Sequence, residues 1–149
     1  PLSEEVLTDL APLAENKGIA LNCAGDALVI GSDTLLYRLV FNLAENAIRY
    51  SRTDSSVTVS ICDNDSHVFL RVEDQGPGIP KQYRESIFQP FFRVDKSRSR
   101  AYGGAGLGLA LVWEIATLHG GSAEVESSSE NGTVMLVDLP KRTTAQSDR

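Results

Sequence analysis

The chain has 149 residues, of which 42% are apolar and 23% charged, and its formal net charge is -6. These values fit one folded globular domain and exclude a disordered polyelectrolyte. They also exclude a global basic field for nucleic acid, so an anionic ligand needs local positive charge, and no apolar run nears the roughly 20 residues that cross a bilayer.

The opening Pro1-Leu2-Ser3-Glu4-Glu5 lacks a basic leader and an initiator Met, which suggests an excised fragment. Val6, Leu7, Leu10 and Leu13 recur at helical spacing and predict a helix over 3–16, closed by Gly18. Short strands follow at 19–23 and 27–30 around Gly25-Asp26. A long helix is expected over 32–50. Its N-cap is Ser32 or Asp33, and its apolar stripe is Leu36, Leu39, Val40, Leu43 and Ala47. Segments 57–62 and 68–72 form a hairpin across Asp63-Asn64-Asp65-Ser66. Pro80 opens a short helix through Ile87. Residues 88–102 are aromatic and basic without periodicity, and read as a loop. A glycine-led helix over 107–118 and a closing hairpin of 123–127 with 134–139 complete the pattern. Cys23 and Cys62 match no disulfide framework or zinc motif and are expected to be buried reduced thiols.

The fold class implied is a two-layer α/β (α+β) sandwich. One mixed, mostly antiparallel sheet of about five strands carries helices on one face. The domain is expected to end near residue 140, with 141–149 a disordered tail.

Four features carry chemistry. Asn42 and Asn46 are four apart on the long helix, and Arg49 and Tyr50 continue that face. Two amide oxygens beside a cation suit magnesium and phosphate, although helical asparagines alone are commonly capping or core amides. Asp74-Gln75-Gly76-Pro77-Gly78-Ile79 sets an acid at a strand end before two glycines. This suits an exocyclic amine on a flat ring, or simply a Gly-Pro turn. Gly103-Gly104-Ala105-Gly106-Leu107-Gly108-Leu109 runs into a helix and can offer converging amides to phosphate; as a bland alternative it is a hinge. It matches neither a Walker loop nor a dinucleotide fingerprint. Arg93, Lys96, Arg98 and Arg100 supply local positive charge before it, or else form a solvated charge run.

In this order the four features resemble the nucleotide-binding domain of sensor histidine kinases across nearly the whole chain. Asn42-Leu43-Ala44-Glu45-Asn46-Ala47 resembles the N box, and Asp74 to Gly78 the first glycine box. Phe88-Gln89-Pro90-Phe91-Phe92-Arg93 resembles the F box, and Gly104 to Gly108 the second glycine box. Gly132-Thr133 resembles the end of a third box whose first glycine is Glu130 here. Leu118-His119-Gly120-Gly121 fits a turn common in the family.

The resemblance implies ATP and Mg2+ as ligands. Asp74 would hold the adenine amine, with Thr133 beside it. Asn46 and Asn42 would hold magnesium and phosphate, and Arg49 and Tyr50 would face the triphosphate. Gly76, Gly78, Ile79, Gly104, Gly106, Leu107, Gly108 and Leu109 would line the site. Lys96 and Arg98 would sit on a flexible ATP lid over 89–103. ATPases sharing the fold place a glutamate where Asn42 stands here, and an amide is no general base. The reading is therefore phosphoryl transfer rather than fast hydrolysis, with Glu45 a surface or interdomain residue.

Neither His67, expected to be exposed, nor His119, expected to cap or pack, has the context of a phosphoacceptor. The acceptor histidine and the general base are thus expected outside the chain, on a dimerisation domain preceding Pro1, so the domain alone would not autophosphorylate. A response regulator would be the downstream partner. Nucleic acid and membrane contacts are not expected of this domain. It would be a cytoplasmic monomer when isolated, and part of an inner-membrane-anchored homodimer when intact. The alternatives are a serine protein kinase of the anti-sigma type and a degenerate ATP-sensing module.

Overall fold

The computed structural model describes residues 2–25, 32–90 and 108–141. The expected strand at 27–30, the aromatic and basic loop from 91, Lys96, Arg98, Gly104, Gly106, Leu107 and the tail beyond 141 lie outside the described residues.

The helices are α1 (Leu2–Lys17), α2 (Asp33–Tyr50) and α3 (Gly108–Leu118). The strands are β1 (Ala20–Ala24), β2 (Ser56–Asp63), β3 (His67–Asp74), β4 (Ser122–Ser129) and β5 (Gly132–Pro140). They form one sheet in the order β1-β2-β3-β5-β4. β1 runs parallel to β2, and every other pairing is antiparallel. Among the described residues, no helix is long and apolar enough to cross a membrane.

Period-two burial on β2, β3 and β5 turns Val57, Val59, Leu70, Val72, Met135, Val137 and Leu139 toward the helices. α2 meets them with Leu36, Leu39, Val40, Leu43, Ala44, Ala47 and Ile48. Truncating a residue as enclosed as Leu43 costs about 2–5 kcal/mol. α1 adds Val6, Leu7, Leu10 and Ala14, and α3 adds Val112, Ile115 and Ala116.

Ser32 caps α2, its hydroxyl accepting the Leu35 amide at 3.2 Å, with Asp33 favourably placed in the first turn. The β2–β3 turn is organised by Asn64, whose Oδ1 accepts the amides of Ser66 and His67 at 2.9 and 2.8 Å. Buried His119 donates from Nδ1 to the Ile115 carbonyl at 2.8 Å, and its Nε2 accepts the Ser32 amide at 3.4 Å. It therefore ties the end of α3 to the start of α2, in the capping and packing role expected.

Two expectations are corrected. Cys23 and Cys62 are not buried but exposed: Cys23 lies near the end of the edge strand β1, and Cys62 lies on the face of β2 opposite Val57, Val59 and Ile61, away from the helices. Pro80 does not open one helix. It precedes two separate 3₁₀ turns, Lys81–Tyr83 and Ser86–Phe88, the second burying Ile87 and Phe88 in the core. His67 is half-exposed and lies 3.1 Å from the Ser66 hydroxyl.

Candidate nucleotide-binding site

β3 ends on Asp74, and its pairing with β5 sets Asp74 opposite Thr133. Asp74 is 7% exposed. Its Oδ1 accepts the backbone N–H of Gly76 at 3.0 Å and of Thr133 at 3.2 Å, while Oδ2 takes no hydrogen bond among the described residues. Burial raises the Asp74 pKa above the ordinary carboxylate value. The two backbone hydrogen bonds oppose that shift, and the charge of Glu73 adds to it. A buried carboxylate with one oxygen pinned and the other open can accept a ligand N–H, and adenine offers its exocyclic amine.

The glycines around Asp74 are required by the fold itself. A Cβ on Gly76 would overlap the Tyr50 carbonyl oxygen, and one on Gly132 would overlap that of Asp74. Gly78 has φ +86 and faces the Ser129 carbonyl. Close approach of a flat ring is thus not needed to account for Gly76 or Gly78.

Other residues complete this wall, and the sequence did not single them out. A β-bulge between Val125 and Ser127 brings Ser128 opposite Thr133. The Ser128 hydroxyl lies 2.8 Å from Thr133 Oγ1 and accepts the Ile79 amide at 2.8 Å, joining β4, β5 and the glycine turn. Arg84 donates to the Ser128 carbonyl at 3.1 Å. Arg52 donates to the carbonyls of Gln75, Gly76 and Glu130 at 3.1, 3.3 and 2.6 Å. Buried Ser51 accepts the Gln75 amide at 3.2 Å. Lone serines in polar segments and an arginine after a helix carry no pattern that would have marked them.

A second wall comes from α2 and α3. Asn42 and Asn46 are half-buried on α2, beside the buried Leu43 and Ala47. Asn42 Oδ1 lies 3.7 Å from where a Cβ on Gly108 would stand, so its amide oxygen faces the first residue of α3. Nothing else among the described residues crowds that point, and Gly108 lies within the α3 helix. Unlike Gly76, Gly108 is therefore not demanded by packing among the described residues. Leu109 is half-buried and packs against the core. Arg49 lies 3.6 Å from Glu45, one turn earlier on α2, and Tyr50 is exposed. The structure thus joins Asp74, Gly76, Gly78, Ile79 and Thr133 in one cluster, and sets Asn42 against Gly108.

Residues 31–143 match the family described as histidine kinase-, DNA gyrase B- and HSP90-like ATPase. The chain belongs to this family. Within it, the resemblance is to the histidine-kinase branch. The chain is 38% identical over 117 residues to the sensor histidine kinase RppB of Synechocystis, covering 78% of this chain and 26% of RppB. The chain thus spans about a quarter of the length of that curated relative. The mycobacterial sensor histidine kinase MprB superposes with a TM-score of 0.81 at 31% identity, covering 96% of this chain and 95% of that structure. Full-length ShkA, in complex with AMPPNP, gives 0.82 at 27% identity, over 96% of this chain and 30% of that one. Histidine kinase ThkA, in complex with the response regulator TrrA, gives 0.77 at 26%, over 95% and 40%. This domain therefore corresponds to the catalytic ATPase part of histidine kinases. The mixed five-stranded sheet and its helical layer are that fold.

Proposed function

We propose that this chain binds Mg-ATP and presents the γ-phosphoryl group to a histidine on a separate dimerisation domain, for two-component signalling through a response regulator. The observation that carries the reading is Asp74, a buried carboxylate with Oδ1 fixed by the amides of Gly76 and Thr133 and Oδ2 open to a donor. The ShkA complex with AMPPNP supports adenine nucleotide as the ligand, and the ThkA complex with TrrA supports the downstream partner.

The chain's residues divide the work. Asp74 accepts the adenine amine, and Thr133, Ser128 and Ile79 hold the wall beside it. Asn42 and Asn46 are the residues that would hold magnesium. The donor set fits, because magnesium on a nucleotide takes few protein oxygens and completes its shell with water and phosphate. A magnesium ion held there would supply charge neutralisation to the phosphates. The start of α3 faces Asn42, where backbone amides and the helix dipole favour an anion. The family resemblance assigns Gly104, Gly106 and Leu107, which lie outside the described residues, to the phosphates as well, with Lys96, Arg98, Arg49 and Tyr50 supplying positive charge and hydrogen bonds.

Catalysis by such a site is positioning and charge neutralisation. The bond from the γ-phosphorus to the β–γ bridging oxygen breaks, a P–N bond to the acceptor imidazole forms, and ADP leaves. The imidazole proton passes to a base on the acceptor domain. Asn42 offers no general base for water, and Glu45 is turned to Arg49, which favours transfer over hydrolysis. The domain works in the cytoplasm, within a homodimeric kinase anchored in the inner membrane by a sensor region outside this chain.

The test mixes the chain and γ-labelled ATP with a family dimerisation domain bearing the histidine. The expected result is acid-labile, base-stable label on that domain and none on this chain alone. Acid-stable label, as a serine kinase would give, or no label, as an ATP-sensing module would give, overturns the reading.

A further inference from the structure

Lys17, the last residue of α1, reaches across to the end of α2. Its Nζ donates to the carbonyls of Ile48 at 3.1 Å, Arg49 at 2.7 Å and Ser51 at 2.6 Å. The last carbonyls of a helix lack intrahelical partners and carry the negative end of its dipole, so an ammonium group suits them. Lys17 is itself held in place. The Gly18 amide bonds the Glu15 carbonyl at 3.1 Å, and the Asp54 amide bonds the Lys17 carbonyl at 3.1 Å. A Cβ on Gly18 would overlap the Asp54 carboxylate, and Gly18 has φ +70, so the chain turns sharply there.

The segment that Lys17 grips leads directly to the nucleotide wall. Tyr50, between the gripped residues, presses its carbonyl oxygen on Gly76. Ser51 accepts the Gln75 amide through its hydroxyl. The Arg52 amide bonds the Gln75 carbonyl at 3.3 Å. Gly76 in turn donates to Asp74 Oδ1. An unbroken path of short contacts therefore runs from the Lys17 ammonium to the carboxylate that reads the base.

We propose that Lys17 is a positioning residue of the nucleotide site. Its ammonium group fixes the end of α2, and that end, through Tyr50, Ser51 and Arg52, fixes the Gln75–Gly76 turn that orients Asp74. This rests on the nucleotide-binding reading above. A cap that served stability alone would lower the unfolding temperature and leave the affinity of the folded chain untouched. A positioning role moves both.

The experiment uses the whole 149-residue chain and titrates it calorimetrically with AMPPNP and Mg2+, at a temperature where each variant is folded. Lys17→Met keeps the aliphatic stem and removes the donor. It is expected to bind about tenfold or more weakly than the wild type, whereas Lys17→Arg, which still donates to the carbonyls, stays within about threefold. Val6→Ala removes buried volume from α1; it is expected to lose stability and bind as the wild type does. Should the Met variant not fold, Lys17→Leu, which likewise has no donor, replaces it under the same expectation. Wild-type affinity in Lys17→Met, or an equal loss in Val6→Ala, overturns the proposal while leaving the nucleotide reading intact. Absence of binding by the wild type overturns both.

Discussion

The backbone amide of Thr133 donates to Asp74 Oδ1 at 3.2 Å, across the antiparallel pairing of β3 with β5. The carboxylate is thus oriented by the pairing of the sheet, with Oδ1 fixed and Oδ2 taking no hydrogen bond among the described residues. Such preorganisation lowers the ordering cost of binding. It also has a cost in the free protein, since burial disfavours the charged form of Asp74.

Asp74→Asn should separate binding from stability. The amide oxygen can still accept from Gly76 and Thr133, and the buried charge is gone. Thermal unfolding at neutral pH is expected to show a variant as stable as the wild type or more so. Calorimetry is expected to show nucleotide affinity reduced about 10–100-fold, the worth of a charge-assisted hydrogen bond. A variant that binds normally would remove Asp74 from the site.

The same group predicts a pH dependence. Its folded-state pKa lies above the ordinary 3.8. Between the two values the native chain holds more protons than the unfolded chain, so this group's contribution to stability falls as pH rises through that window and levels off above it. The wild type should therefore be most favoured over Asp74→Asn at the acid end of a series of unfolding curves. Nucleotide affinity should rise across the same window, because the amine donor prefers the ionised carboxylate. Parallel stability curves for the two proteins would contradict this.

Two glycines should respond in opposite ways to the same change. Gly76→Ala drives a methyl group into the Tyr50 carbonyl, and is expected to destabilise by about 1–3 kcal/mol. Among the described residues, the methyl group of Gly108→Ala meets only Asn42 Oδ1, at 3.7 Å. It is expected to be neutral or to stabilise by up to about 1 kcal/mol, while weakening nucleotide binding because the methyl group enters the space between α2 and α3. Denaturant unfolding and calorimetry on both variants check the contrast.

Asn46→Ala should change little in stability, since the site is half-buried and alanine favours helix. Affinity for Mg-ATP is expected to fall about tenfold or more, and the difference from wild type should vanish when magnesium is removed with EDTA. A deficit that persists in EDTA would assign Asn46 a role without the metal.

Much of this architecture can be read from residue spacing. The stripe from Leu36 to Ala47 marks α2 and its buried face, and the Asp63–Ser66 run marks the hairpin that Asn64 organises. Asp74 is visible because an acid ends an alternating strand immediately before glycines. The reason for those glycines is not visible, since it lies in the Tyr50 and Ser129 carbonyls, which are distant in sequence. Ser128 escapes notice because a bulge, unsignalled in a run of serines, decides which hydroxyl faces Thr133. Lys17 looks like an ordinary helix-end lysine until α2 is packed beside it. The cysteines mislead because apolar neighbours in a strand imply burial only on the covered face and length: Cys23 sits near the end of an edge strand, and Cys62 on the face of β2 opposite Val59 and Ile61.

The most direct test of the central claim compares ATP with its 6-oxo analogue, inosine triphosphate, on the wild type and on Asp74→Asn. On the proposed reading Oδ2 of Asp74 accepts the adenine amine, so the wild type should bind ATP at least about tenfold more tightly than the inosine nucleotide, and the Asn variant should lose that preference. Equal affinity of the wild-type chain for the two nucleotides would contradict the account.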